Sequence, residues 1–320
     1  MMMNKNRLRL SAQDTNLHYA VVDLGSNSFH LQITQLVNNQ MKVVAKIKQK
    51  VRLAAGLNNT NELSSNAINR GLDCLTLFSQ HLISIPVSNI CIVATAALRI
   101  AINRDKFLIP ANKILPVKIK LLSGEQEAKT IYSGVAHTCQ DGFEKKRFVI
   151  DIGGASTELI IGQGFEAQQT ISLNLGCVSF KEKFFTDNLL TEKNFTAAVT
   201  AASKIIAPIS INFINLGWQS VLGSSGSMQA LAEILHDRKQ PIKITSAFLQ
   251  EIKQALIQCK TIDNITLSGL RADRAPVLAS GLSILIALFK VFNITELTLS
   301  AGALREGLLY DMLPPPEASN

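Results

Sequence analysis

Tyr19-Ala-Val-Val-Asp23-Leu-Gly25-Ser-Asn-Ser28-Phe-His-Leu-Gln-Ile33 and Phe148-Val-Ile-Asp151-Ile-Gly153-Gly154-Ala-Ser156-Thr-Glu158-Leu-Ile-Ile161 are two copies of one phrase. Each is an apolar run ending in Asp, a Gly/Ser turn, and a second apolar run. With Asp23 laid on Asp151, Gly25 falls on Gly153, Ser28 on Ser156 and Leu31 on Leu159. A phrase repeated at this distance predicts a duplicated domain, each copy opening on a strand–turn–strand hairpin.

Glycine permits φ > 0 and close backbone approach, so such a turn can aim successive N–H groups at phosphate oxygens. Ser26, Ser28 and Ser156 add hydroxyl donors. An Asp at the end of each first strand suits a divalent metal held at a phosphate site. The repeat thus points to two related domains facing one polyphosphate ligand across a shared cleft.

With 320 residues, 47% of them hydrophobic and 18% charged, the chain is long enough for two domains with cores of their own. Met1 to Leu17 is polar and lacks the apolar segment of a secretory signal. The most apolar stretch, Val277 to Phe289, falls short of a bilayer's roughly 20 residues, so the chain reads as cytoplasmic. Five cysteines without a C-x-x-C pair suggest neither zinc nor disulfides. A net charge of +8 favours an anionic partner. Lys46, Lys48, Lys50 and Arg52 alternate with uncharged residues, and a strand would set all four on one face. Few aromatics accompany them, so the platforms of single-strand nucleic-acid binders are not evident.

The first domain reads as strands over 19–24, 29–36 and 41–50, a helix over 64–84, a strand over 90–94, a helix near 96–103, a strand over 117–122 and a helix from Ser123. The second half repeats the order: strands over 147–152, 157–162 and 167–174, a helix over 191–213, a strand over 219–223, helices over 226–236, 245–259 and 275–293, and a strand over 296–299. Hairpins followed by alternating helices and strands predict mixed sheets flanked by helices. The expected domains are 1–132, completed by a helix over 304–320, and 133–303.

Ser123-Gly-Glu-Gln126 fits a capping box. Glu125 and Glu127 then lie in the first turn, where the helix dipole favours the ionised carboxylate and suits a general base. Helical spacing does not choose between them. A third turn, Gly223-Ser-Ser225-Gly226-Ser, leads from a strand into a helix whose N-terminus suits an anion.

The collinear motifs Asp23-Leu-Gly-Ser-Asn-Ser-Phe-His30, Lys50-Val-Arg-Leu-Ala-Ala-Gly-Leu57, Val93-Ala-Thr-Ala-Ala-Leu-Arg99, Ser123-Gly-Glu-Gln-Glu127-Ala, Asp151-Ile-Gly-Gly-Ala-Ser-Thr-Glu158, Gly223-Ser-Ser-Gly226 and Ala303-Leu-Arg-Glu-Gly307 resemble the exopolyphosphatase / guanosine pentaphosphate phosphohydrolase (Ppx/GppA) family. The resemblance runs from about Tyr19 to Leu313 and is nearer the guanosine pentaphosphatase branch. It implies α/β architecture: two duplicated actin-like (ribonuclease H-like) domains of the sugar kinase, heat-shock ATPase and actin superfamily, with the active site in the interdomain cleft.

Carried over by position, the resemblance makes Glu127 the general base. Asp151 and Glu158, with Asp23 in support, become the acids that hold Mg²⁺ or another divalent metal. It assigns phosphate binding to Gly25, Ser26, Asn27, Ser28, Arg99, Gly153, Gly154, Ser156, Gly223, Ser225 and Gly226, and makes Arg274 a candidate for the nucleotide. Gln126 stands where relatives commonly have Glu. The implied reaction is hydrolysis of pppGpp to ppGpp and phosphate, with release of phosphate from inorganic polyphosphate as the alternative. A non-catalytic alarmone sensor would keep the turns without the base. Neither nucleic acid nor membrane is expected as a partner, and monomer and homodimer both fit. His30, His137, Cys139 and Cys177 read as packing.

Overall fold

β1 (His18–Leu24) and β2 (Phe29–Val37) form an antiparallel hairpin around the first Gly/Ser turn, and β3 (Gln40–Gln49) pairs antiparallel to β2. The computed structural model describes residues 17–37, 40–139, 142 and 144–313. They divide into two compact units, 17–121 with 307–313, and 122–306.

The first unit continues with α1 (Ser65–Leu82), β4 (Ile90–Ala94), α2 (Ala96–Ile100), α3 (Asp105–Ile114) and β5 (Lys120–Leu121). Its sheet has the order β3-β2-β1-β4-β5, with β4 parallel to β1 and β5 parallel to β4. Ser64 caps α1 by accepting from the Ala67 N–H at 3.3 Å. The helix buries Ile68, Gly71, Leu75, Phe78 and Leu82 at three- and four-residue spacing. Gly71 admits the Phe107 ring of α3, which a Cβ would meet at 2.6 Å. β1 is buried at all but two positions, as a strand covered on both faces requires, whereas β2 largely alternates buried with half-buried residues.

The second unit holds α4 (Gly124–Thr138), β6 (Lys146–Ile152), β7 (Thr157–Gln163), β8 (Glu166–Leu173), α5 (Cys177–Phe184), α6 (Glu192–Leu216), β9 (Ser220–Ser224), α7 (Gly226–Asp237), β10 (Lys243–Thr245), α8 (Ser246–Gln258), α9 (Ala275–Phe292), β11 (Glu296–Leu299) and the start of α10 (Leu304–Met312). Its sheet order is β10-β11-β9-β6-β7-β8. Stripped of β10, this is the arrangement of the first sheet: an antiparallel meander, then two parallel strands beside its first member. The core gathers Phe148, Phe213 and Phe292, with ring centroids 5.0–5.9 Å apart, and Trp218 at 4.8 Å from Phe148. Each fully buried aromatic or aliphatic side chain contributes about 1.5–3 kcal/mol.

Several differences from the sequence reading have local causes. α4 lies wholly in the second unit, packed along β8, so the chain divides before this helix rather than inside it. α3 carries Pro110, which reads as a breaker, and α5 starts at Gly176 with no side-chain cap. The strand expected over 117–122 shrinks to two residues, because the Asn112 side chain takes the Ile119 N–H at 2.8 Å. β3 ends at Gln49, so Lys50 and Arg52 lie beyond it. By length and composition α6 and α9 could each cross a membrane. α9, though, is buried all round from Leu278 to Phe289, the pattern of a core helix rather than of a single stripe.

Candidate active site

Four residues stand abreast across the second sheet: Ser224 on β9, Asp151 on β6, Glu158 on β7 and Ser172 on β8. Directly opposed residues share a face, so both carboxylates project together. Ser224 donates to Asp151 Oδ2 at 2.5 Å, and Ser172 donates to Glu158 Oε1 at 2.7 Å. Glu158 is almost fully buried, and Ser156 gives it a second hydroxyl. Burial, then the nearby Glu127 and Asp151 charges, hold its carboxyl well above the usual carboxylate range. Asp151 is raised by desolvation, opposed by the Ser224 hydrogen bond and by Arg305.

Glu127 comes to this row through the start of α4. The predicted capping box is present: Gln126 N–H donates to Ser123 Oγ at 3.1 Å, and Ser123 N–H to Gln126 Oε1 at 2.9 Å. Gly124 rests against Ser172, the partner of Glu158. Glu127 is buried. Glu125, in contrast, is exposed and bonded to Lys129 at 2.6 Å, an interaction that lowers its pKa. Of the two glutamates, only Glu127 is turned into the fold.

The second Gly/Ser turn is anchored by its carbonyls. Gly153 O accepts from Cys177 N–H at 2.9 Å, and Gly154 O from Val178 N–H at 2.9 Å, both at the start of α5. Gly153 N–H donates to Ser156 O at 2.9 Å, while the N–H groups of Gly154, Ala155 and Ser156 reach no backbone carbonyl among the described residues. Such a cradle can receive an anion. Gly176 makes it possible, since a Cβ there would lie 2.4 Å from the Gly154 and Ala155 backbone. The first turn is held in the same way: Ala54 N–H donates to Ser26 O at 2.9 Å and Arg52 N–H to Asn27 O at 2.8 Å. Ser26 Oγ accepts from Ala97 N–H at 3.1 Å.

Positive φ is not the reason for these glycines, because Gly25, Gly153, Gly154, Gly223 and Gly226 all lack it. Close approach is: a Cβ on Gly25 would meet Ser28 O at 2.8 Å, and one on Gly223 would meet Leu297 at 2.7 Å. The left-handed residue of the third turn is instead Ser225, at φ 103, immediately before α7. Its Oγ is buried and has no hydrogen-bond partner among the described residues. Arg274 lies over the same helix start, where a Cβ on Gly226 would come within 2.3 Å of its guanidinium.

Glu127, Asp151, Glu158 and Ser156 thus converge in the second unit, with Arg274 at the α7 start of that unit. Asp23, Gly25, Ser26, Asn27, Ser28 and the half-buried Arg99 belong to the first. Ser172 and Gly176 escape sequence reasoning, and Gly124, Ser224 and Arg305 stand in quoted motifs without a role of their own, since strand register and helix packing bring them here. Cys177 is buried, with its thiol pushed up to about 11, in keeping with packing, whereas His137 is exposed against Phe165.

Among the described residues no three histidine, cysteine or carboxylate side chains enclose a metal by themselves. Two neighbouring buried carboxylates, one of them raised by the charge of the other, nevertheless fit a cation such as Mg²⁺, which takes one or two protein carboxylates and completes its shell with water and substrate phosphate.

The chain matches the model of the Ppx/GppA phosphatase family over residues 32–315. It is 51% identical over 295 residues to a guanosine-5'-triphosphate,3'-diphosphate pyrophosphatase of Aliivibrio fischeri and 49% identical to one of Photobacterium profundum. In each case the match covers 92% of this chain and 59% of the relative, so the chain spans under two thirds of their length. An exopolyphosphatase of Cytophaga hutchinsonii shares the fold with a TM-score of 0.82 at 24% identity, over 92% of this chain and 97% of that one. The duplicated α/β units, the two Gly/Ser turns and these matches together establish that the chain belongs to the Ppx/GppA phosphatase family.

Proposed function

We propose that this protein hydrolyses the terminal phosphoanhydride of pppGpp, giving ppGpp and phosphate. One observation carries the reading: a buried glutamate, Glu127, beside a cross-strand acid pair at the mouth of a phosphate-cradling turn. Two relatives bearing a guanosine-pentaphosphatase name support the choice of substrate.

In this reading Glu127 accepts a proton from water, whose oxygen attacks the terminal phosphorus as the bridging oxygen departs with ppGpp. The amides of the 153–156 turn and of the α7 start bind the phosphoryl oxygens as charge develops on them. Ser172 and Ser224 hold Glu158 and Asp151 in place. Those two acids would hold Mg²⁺ or another divalent cation, which supplies charge neutralisation at the transferring phosphoryl. Arg274, at the start of α7, is assigned to the nucleotide's phosphates. Gly25, Ser26, Asn27, Ser28 and Arg99 are assigned to phosphate binding in the first unit, and Asp23 to support of the metal.

Release of phosphate from inorganic polyphosphate is the second reading, favoured by the exposed lysines of β3. Phosphate release with Mg²⁺ from pppGpp and from polyphosphate separates the two. Faster turnover of pppGpp supports the first and faster turnover of polyphosphate the second. Binding of either without turnover leaves a sensor and removes the hydrolase reading.

A further inference from the structure

The first unit carries the same cross-strand row as the second, with an acid kept at Asp23 but His30 and Lys48 where the second has Glu158 and Ser172. Val93, Asp23, His30 and Lys48 stand abreast on β4, β1, β2 and β3, where the second unit has Ser224, Asp151, Glu158 and Ser172. One row further along the same face, Lys46 stands opposite Gln32. β3 is an edge strand, and both lysines are exposed; Lys46 has no ion pair among the described residues.

Just past this strand Arg52 adopts φ 55, a conformation that costs an L-residue roughly 1 kcal/mol or more. It is held there firmly. Its N–H donates to Asn27 O in the phosphate turn, and Arg70 donates to Val51 O at 2.9 Å and to Arg52 O at 3.4 Å. Val51 and Leu53 on either side are buried, so the left-handed step turns Arg52 outward between two core residues. Gly or Asn would take that backbone at lower cost. The exposed guanidinium has no ion pair among the described residues, and nothing in the fold requires it.

We infer that Lys46, Lys48 and Arg52 form a subsite for the anionic chain of the substrate, a run of anhydride-linked phosphates leading to the turn at Asp23–Ser28. The inference rests on the phosphoanhydride reading and adds to it a device for chain length. At a strand rise of about 3.3 Å per residue, Lys46 to the end of β3 at Gln49 spans about 10 Å, and Arg52 extends the cationic line past it, to at most about 20 Å. A ligand of two or three phosphates engages one end of that span, and a longer chain engages all of it.

The test is equilibrium binding of tripolyphosphate and of long-chain polyphosphate to the full chain, comparing wild type with Lys46→Gln/Lys48→Gln, Arg52→Asn and Arg52→Lys. Each cation removed should weaken long-chain binding about fivefold, the size expected of one cation beside a polyanion, and should make the salt dependence shallower. Tripolyphosphate should change less than about twofold, and Arg52→Lys should retain long-chain affinity. Asn tolerates the left-handed backbone, so an unchanged melting temperature separates charge loss from misfolding. Equal losses for both lengths, unchanged long-chain binding, no polyphosphate binding by wild type, or preference for single-stranded RNA over polyphosphate would each overturn the subsite. Phosphate release is read on the same samples. Length-dependent binding without turnover upholds the subsite and removes the hydrolase reading.

Discussion

Gly124, the first residue of α4, lies so close to Ser172 on β8 that a Cβ on it would sit 2.5 Å from the serine Cβ. The same serine donates to Glu158, so one contact fixes both the start of the helix that carries Glu127 and the acid beside it. Gly124→Ala must push the helix start off the sheet. We expect a stability loss of about 1–3 kcal/mol, the usual cost of overpacking. Activity should fall by more than that loss explains, measured by phosphate release well below the melting temperature.

Asp151 and Glu158 bind protons more tightly in the folded protein than in the unfolded chain. Their contribution to stability is therefore fully present below the ordinary carboxylate range near pH 4, and is lost as pH rises through the raised folded values. Glu158→Gln removes a buried charge and its repulsion with Glu127 and Asp151. It should raise the melting temperature at neutral pH by about 2–4 °C for each kcal/mol regained and flatten its decline with pH. Divalent cation should raise the melting temperature of wild type more than that of this variant. Scanning calorimetry at several pH values, with and without Mg²⁺, reads both effects.

Ser225 keeps φ 103 at the entrance of α7, with a buried hydroxyl that has no hydrogen-bond partner among the described residues. Strain of this kind is worth about 1–3 kcal/mol and persists where the backbone must present its N–H groups in one direction. Ser225→Gly should stabilise the protein by about 1 kcal/mol, as denaturant titration would show, and at the same time weaken phosphate binding. Ser225→Ala, which keeps the strain, should not stabilise it.

The duplicated hairpins, the capped α4 and the aspartates Asp23 and Asp151 were legible because each rests on local pattern: apolar runs, turn residues and a capping box, while Glu158 was reached only through the family resemblance. Pro110 and the uncapped start at Gly176 hid α3 and α5 for the same reason, the local signal being absent or contrary. Ser172 and Ser224 were not legible, because strand register joins them to the acids from positions far along the chain. The choice between Glu125 and Glu127 likewise depends on which side of α4 meets β8. That Lys48 and His30 stand in the first unit where Ser172 and Glu158 stand in the second follows only once both registers are known.

Glu127 is the group proposed to activate water, and its neighbour Glu125, exposed and bonded to Lys129, is the natural control. The most direct measurement is kcat for phosphate release from pppGpp with Mg²⁺ by wild type, Glu127→Gln and Glu125→Gln. The account predicts a loss of about 10²–10⁴-fold for Glu127→Gln, the range of a general base, and near-normal turnover for Glu125→Gln. Full activity in Glu127→Gln, or a collapse confined to Glu125→Gln, would contradict it.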